Sequence, residues 1–159
     1  MRAENPDRQE RGQVRDFSKA TLIDTSAWIL ALRKGTSSRA TDEVDRRIAD
    51  NRAATTGIIM LELLSGTRTE REYQELKEDL RALIQLETTS KTWERASHLA
   101  YELKRKGLTV PATDVLIMTV AVENGCSLLH ADHHFDLMAE EGIGLPPSKV
   151  ISLLKEGPR

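Results

Sequence analysis

From Thr21 onward, short apolar runs alternate with longer stretches in which apolar residues recur at helical spacing. TLID (21–24) reads as a short strand, and SAWILALRK behind it as a helix that Thr25 or Ser26 is placed to cap. Within 38–51, Ala40, Val44 and Ile48 share one helical face and charges occupy the others. AATTG reads as a strand, and IIMLELLSG as a short helix closed by Gly66. Residues 69–84 (REYQELKEDLRALI at their heart) are helical in pattern, IQLETTS is a strand, and a long helix over 91–106 ends at Gly107. Pro111 precedes a further helix, TDVLIMTVAVENG, for which Asn124–Gly125 is a natural stop. SLLH, HFDLMAEEG and KVISLL then give strand, helix and strand. This alternation predicts an α/β fold in which a parallel sheet is covered on both faces. Residues 1–18 mix both charge signs with almost no apolar content, so a mobile arm is expected there and one ordered domain over 19–156.

Composition narrows the class. A chain of 159 residues, 39% hydrophobic and 30% charged, suits one globular domain with a sizeable core. Its single cysteine, Cys126, excludes an internal disulfide framework and any Cys-rich zinc module. No apolar run approaches the ~18 residues of a membrane helix, and the mean hydropathy is -0.43. The charged N-terminus lacks the apolar core of a secretory signal, so a cytoplasmic location is expected. A net charge of -2 does not advertise the basic face of a nucleic-acid binder. The six aromatic residues are too scattered to form a base-stacking platform.

Four carboxylates stand out. Ligands of open α/β sheets bind beyond the carboxyl ends of the strands. Asp24 ends the first strand, Asp132 lies just past SLLH, and Asp114 opens the nearly all-apolar helix VLIMTVAV. Glu62 interrupts IIMLELL, which is apolar on every helical face, so a charge there must approach the core. Left unpaired, such a charge is costly or takes up a proton, and a bound cation or an arginine resolves the conflict. Taken singly, each has a structural explanation. Asp24 and Asp114 can cap helices, Glu62 can pair with Arg68 or Arg71, and Asp132 can sit in a turn. Taken together, with three at one sheet edge, they favour a metal site. Hard oxygen donors without cysteine point to Mg²⁺ or Mn²⁺.

The segment HADHH offers a rival, since His130, His133 and His134 with distant His98 are possible zinc ligands. Its spacing spans a strand end and a turn, which argues instead for imidazoles that face solvent or touch a substrate phosphate. No G-x-G-x-x-G, P-loop or G-x-S-x-G is present. Lys104-Arg105-Lys106 and Arg33-Lys34 are the best basic clusters for steering a polyanion.

Four segments in order, LIDTSAWI, TTGIIMLELLSG, PATDVLIMTVAVENG and LLHADHHFDLMA, resemble the signature segments of PIN-domain ribonucleases, most of all the VapC-type toxins of bacterial toxin–antitoxin pairs. The resemblance covers about residues 20–155. Asp24, Glu62, Asp114 and Asp132 match the family's acidic residues, with Thr25 and Ser26 beside the first. One departure is visible. Where the family often has T-x-D-x-D-F, this chain has His130-Ala131-Asp132-His133-His134-Phe135, which implies a weaker second metal site or a single tightly held ion.

The resemblance implies a three-layer α/β/α sandwich around a parallel sheet of four or five strands. It implies a Mg²⁺- or Mn²⁺-dependent endoribonuclease acting on RNA, a homodimer, and neutralisation by a VapB-like antitoxin. Asp24, Asp114 and Asp132 would then hold the cation directly or through water, and Glu62 would orient a water on the metal or bind a second ion. Three alternatives stand beside this reading. They are a housekeeping RNA-maturation nuclease, a phosphohydrolase of small substrates, and a catalytically silent PIN-fold binding module.

Overall fold

The computed structural model describes residues 15–35 and 38–156. The expected N-terminal arm lies outside the described residues for positions 1–14. Phe17, ahead of the expected domain start, packs against the core.

The elements follow in the order β1 (Thr21–Ile23), α1 (Thr25–Ala31), α2 (Arg39–Ala49), β2 (Ala53–Thr56), α3 (Gly57–Ser65), α4 (Glu70–Arg81) and β3 (Ile84–Leu86). They continue with α5 (Ser90–Arg105), α6 (Ala112–Asn124), β4 (Ser127–His130), α7 (His133–Glu140) and β5 (Val150–Ser152). All strands pair in parallel, in the order β3-β2-β1-β4-β5. With helices on both sides, this is the expected three-layer sandwich with five strands. The chain winds outward from β1 to β3, then returns to β4 on the other side of β1. That reversal opens a crevice beyond the carboxyl ends of β1 and β4, the place where doubly wound sheets bind ligands.

Burial follows position in the sheet. β1 and β2 are buried at every residue, whereas the edge strands β3 and β5 each keep accessible positions. Covered on both faces, the inner strands need no alternation. Helix α6 is the most enclosed helix, buried without a break from Asp114 to Ala121. Gly125, at φ 61°, ends it in the left-handed conformation that a residue without Cβ adopts freely. Among the described residues, no helix is long and apolar enough to cross a membrane.

Boundaries differ from the sequence expectation in instructive places. Helix α1 is capped by Asp24, not by Thr25 or Ser26: its carboxylate accepts the Ser26 N–H. Strand β3 stops at Leu86, shorter than the expected IQLETTS, and Ile84 belongs to the sheet alone because the preceding helix already ends at Arg81. On α2, Ile48 faces outward at 42% exposure while Arg47 is buried. The Arg47 guanidinium bonds the Glu43 carbonyl and carboxylate one turn back, so its stem packs as an apolar side chain does.

The loop after α7 closes on α6 through Gly144. Its φ is +88°, and a Cβ there would lie 2.5 Å from Met118 Cγ, a side chain that is fully buried. Gly144→Ala is therefore expected to cost about 1–3 kcal/mol from strain and overpacking. Urea unfolding checks this, and an unchanged midpoint would show that Met118 moves aside freely.

Candidate functional site

The crevice between β1 and β4 is where the acidic residues meet. Asp24 follows β1 and is 4% exposed. Its N–H donates to the Leu129 carbonyl at 2.9 Å, which fixes the end of β1 against β4. The Asp24 Oδ2 atom accepts both the backbone N–H and the hydroxyl of Ser26. That same hydroxyl accepts the N–H of Ala131 at 2.9 Å. Ser26 thus ties the first carboxylate to the loop that carries Asp132. The neighbouring Thr25 hydroxyl donates to Glu62 Oε2 on α3, joining the second helix pair to the same corner. Arg71, an expected partner for Glu62, pairs with Glu75 instead at 2.8 Å.

Asp132 caps α7, accepting the His134 N–H at 2.9 Å through Oδ1. Asp114 stands in the first turn of α6, where Pro111 is the N-cap and makes no side-chain cap bond. Of the two capping explanations, the one for Asp24 holds and the one for Asp114 does not. Asp114 is 9% exposed, and its Oδ2 has no hydrogen-bond partner. Burial, and then the charges of Asp132 and Asp24, push its carboxyl up to about 7, with His134 working the other way and Glu62 adding to the rise. Burial likewise raises the Asp24 carboxyl, against the lowering effect of the Ser26 hydrogen bonds. The four predicted carboxylates therefore come together. Among the described residues, no lysine or arginine pairs with any of them; the basic side chain at hand is the His134 imidazole.

The histidines separate into three roles. His130 is fully buried, its ring against Phe135. Its Nδ1 accepts the Asp132 N–H at 3.2 Å, and its Nε2 lies 3.6 Å from Asp136. It supports the loop from within. His133 faces solvent, its side chain 75% exposed. His134 turns inward, with Nδ1 2.8 Å from Asp132 Oδ1 and 3.3 Å from Asp114 Oδ2. His98 pairs with Glu102 on α5 and is not part of the donor group formed by Asp132, His133 and His134. Ser26 and Thr25 enter the site through their hydroxyls, which the sequence reading placed at the helix start without assigning these contacts. The signal available for them is the Asp-Thr-Ser run itself, since two hydroxyls next to a capping carboxylate lie within its reach.

A divalent cation fits this set. Asp24, Glu62 and Asp132 are anchored by hydrogen bonds from the backbone or from hydroxyls, the buried Asp114 Oδ2 is left without a donor, and the charges around Asp114 add to its proton affinity.

Comparison with known proteins agrees with the geometry. Residues 21–141 match the family model described as PIN domain. The chain is 34% identical over 122 residues to the VapC ribonuclease Mb1587 of Mycobacterium bovis, covering 74% of this chain and 90% of that protein. Its fold is similar to VapBC2 from Rickettsia felis bound to a DNA fragment from their promoter, with a TM-score of 0.63 and 21% identity over 84% of this chain and 96% of that one. A similar fold occurs in VapBC-5 from Mycobacterium tuberculosis, a member of the VapBC family of toxin-antitoxin systems, with a TM-score of 0.55 and 18% identity over 84% and 97% of the two chains.

The proton affinity of Asp114 gives stability a definite pH dependence. Its carboxyl is pushed up to about 7 in the folded state from the ordinary 3.8, so between these values the folded state binds the proton and the unfolded state releases it. The contribution is fully present below the lower value and is lost as pH rises through the upper one. In EDTA, the melting temperature of the wild type falls more steeply between about pH 4 and about pH 7 than that of Asp114→Asn. Parallel curves in scanning calorimetry would refute this.

Proposed function

Because the chain belongs to the PIN-domain family, as a VapC-type member, we propose that it is a metal-dependent endoribonuclease that hydrolyses RNA phosphodiester bonds as the toxin of a type II toxin–antitoxin system. The observation that carries the chemistry is Asp114, a buried carboxyl with an unpartnered oxygen among three further carboxylates. The ribonuclease name of the mycobacterial relative supports RNA as substrate.

In this reading Asp24, Asp114 and Asp132 hold Mg²⁺ or Mn²⁺. The bound cation would offset charge on the phosphate and lower the pKa of water toward neutrality. The chain's own residues do the positioning. Ser26 keeps the Asp24 carboxylate at a fixed distance from the β4–α7 loop, and the α7 cap fixes Asp132. Glu62, held through one oxygen by Thr25, has its other oxygen to orient the attacking water and accept its proton. The buried floor formed by α6 keeps these charges strong by excluding solvent.

The partner is a VapB-like antitoxin, as the description of VapBC-5 supports. An open apolar groove of about 500 Å³, lined by Trp28, Leu32, Val44, Ile48, Leu76 and Leu80, offers such a partner a surface between α1, α2 and α4. A homodimer in the cytoplasm completes the proposal.

The first test is cleavage of total cellular RNA by the purified chain with Mg²⁺, with Mn²⁺ and with EDTA. Discrete fragments are expected that require metal. Cleavage falls more than about a hundredfold in Asp24→Asn and Asp114→Ala, beyond the usual loss for residues that merely support a ligand. Both variants stay folded, because repulsion is relieved. Undiminished cleavage in either would remove the assignment. Intact RNA in every arm, with metal bound, would favour the silent binding module. The toxin role is read separately: induced expression arrests bacterial growth, and Asp114→Ala does not.

A further inference from the structure

We propose that His134 is itself a metal ligand, so that the centre combines the carboxylate oxygens of Asp114 and Asp132 with an imidazole nitrogen. The inference rests on reading the acidic pocket as a metal centre, and concerns which of this chain's atoms complete it.

Two carboxylate oxygens flank one imidazole nitrogen, and Asp132 and His134 belong to one close group of donor atoms. His134 Nδ1 is 2.8 Å from Asp132 Oδ1 and 3.3 Å from Asp114 Oδ2. Adjacent donors on an octahedral ion with bonds of about 2.1 Å lie about 3 Å apart, which these separations straddle. A proton alone does not account for the arrangement. Nδ1 carries at most one hydrogen, and it lies within hydrogen-bond distance of Asp132. Asp114 Oδ2 is then left buried and without a hydrogen-bond partner, a costly position for an ionised oxygen. A cation bound at His134 Nδ1 and Asp132 would set a positive charge beside that oxygen and give it a partner.

The position of the ring is built into the fold. The Asp132 cap accepts the His134 N–H, so the residue two places past the cap is held at the same corner as the capping carboxylate. The His133 ring packs against the His134 ring with centroids 4.1 Å apart, covering it from the solvent side. The neighbouring imidazoles are otherwise engaged. His130 Nδ1 takes the Asp132 N–H, and His133 Nδ1 stands 3.6 Å from Asp132 with its side chain largely in solvent.

An imidazole donor changes which ion the site prefers. All-oxygen sets suit Mg²⁺, whereas nitrogen donors favour Mn²⁺ and the later divalent metals over it. The chain is therefore expected to select Mn²⁺ over Mg²⁺ more strongly than a site completed by a carboxylate.

The test uses the full chain loaded with Mn²⁺ and read by pulsed electron paramagnetic resonance. Nitrogen modulation is expected that changes when the protein carries 15N-labelled histidine. It disappears in His134→Asp and persists in His133→Asn. Bound Mn²⁺ without histidine nitrogen coupling would overturn the inference and leave the carboxylate site standing. A coupling lost with His133 instead would overturn it equally. Failure of the wild type to bind Mn²⁺ at all would overturn both the inference and the metal reading beneath it. In calorimetric titration, the ratio of Mn²⁺ to Mg²⁺ affinity falls about tenfold in His134→Asp; an unchanged ratio counts against the ligand.

Discussion

Like charges repel most where water cannot screen them, and the gathering of Asp24, Glu62, Asp114 and Asp132 at one end of a parallel sheet is the constraint around which this molecule is arranged. Burial first, and neighbouring charges after it, raise the Asp114 and Asp24 carboxyls, so gathering the four at a covered corner works against their charged forms. The fold holds them by assigning each a local tether. Asp24 and Asp132 cap helices, Glu62 is held by Thr25, and Asp114 is carried on a helix whose following seven residues are all buried. Packing of α6 thereby holds its charge in place against electrostatic repulsion, which is why a helix with so long a buried run carries an acid in its first turn.

The sheet order explains why these four, scattered along the chain, can be neighbours. The reversal between β1 and β4 places two loops with N-capping carboxylates side by side, and Ser26 bridges them with a single hydroxyl. Hydrogen bonds of this kind favour a charged carboxylate. They favour the charged form of Asp24 in surroundings whose burial favours its neutral form.

Much of this was legible in the residues. The alternation of apolar runs predicts a covered parallel sheet, and Glu62 and Asp114 are conspicuous because each stands against an apolar background. Other features were not, for physical reasons. Three adjacent residues, Asp24, Thr25 and Ser26, can all cap a helix, and only the backbone direction at the end of β1 selects Asp24. Periodicity placed Ile48 on the buried face of α2, but it does not reveal that the face borders an open groove, nor that Arg47 hides its charge on Glu43. The three histidines around Asp132 look alike in sequence. Their separation into a buried prop, a solvent-facing ring and a ring among the carboxylates depends on how α7 leaves β4.

The Ser26–Ala131 hydrogen bond spans 105 residues, and that separation has a meaning in time. A ribosome adding about 5–20 residues per second needs roughly 5–20 s to pass from one partner to the other. Through that interval Asp24 exists on a growing chain, joined partway by Glu62, while β4 and Asp132 do not. The centre is thus among the last features to be completed during synthesis. The four carboxylates cannot gather until nearly the whole domain has emerged, whereas the groove between α1, α2 and α4 is built entirely from residues made before that moment.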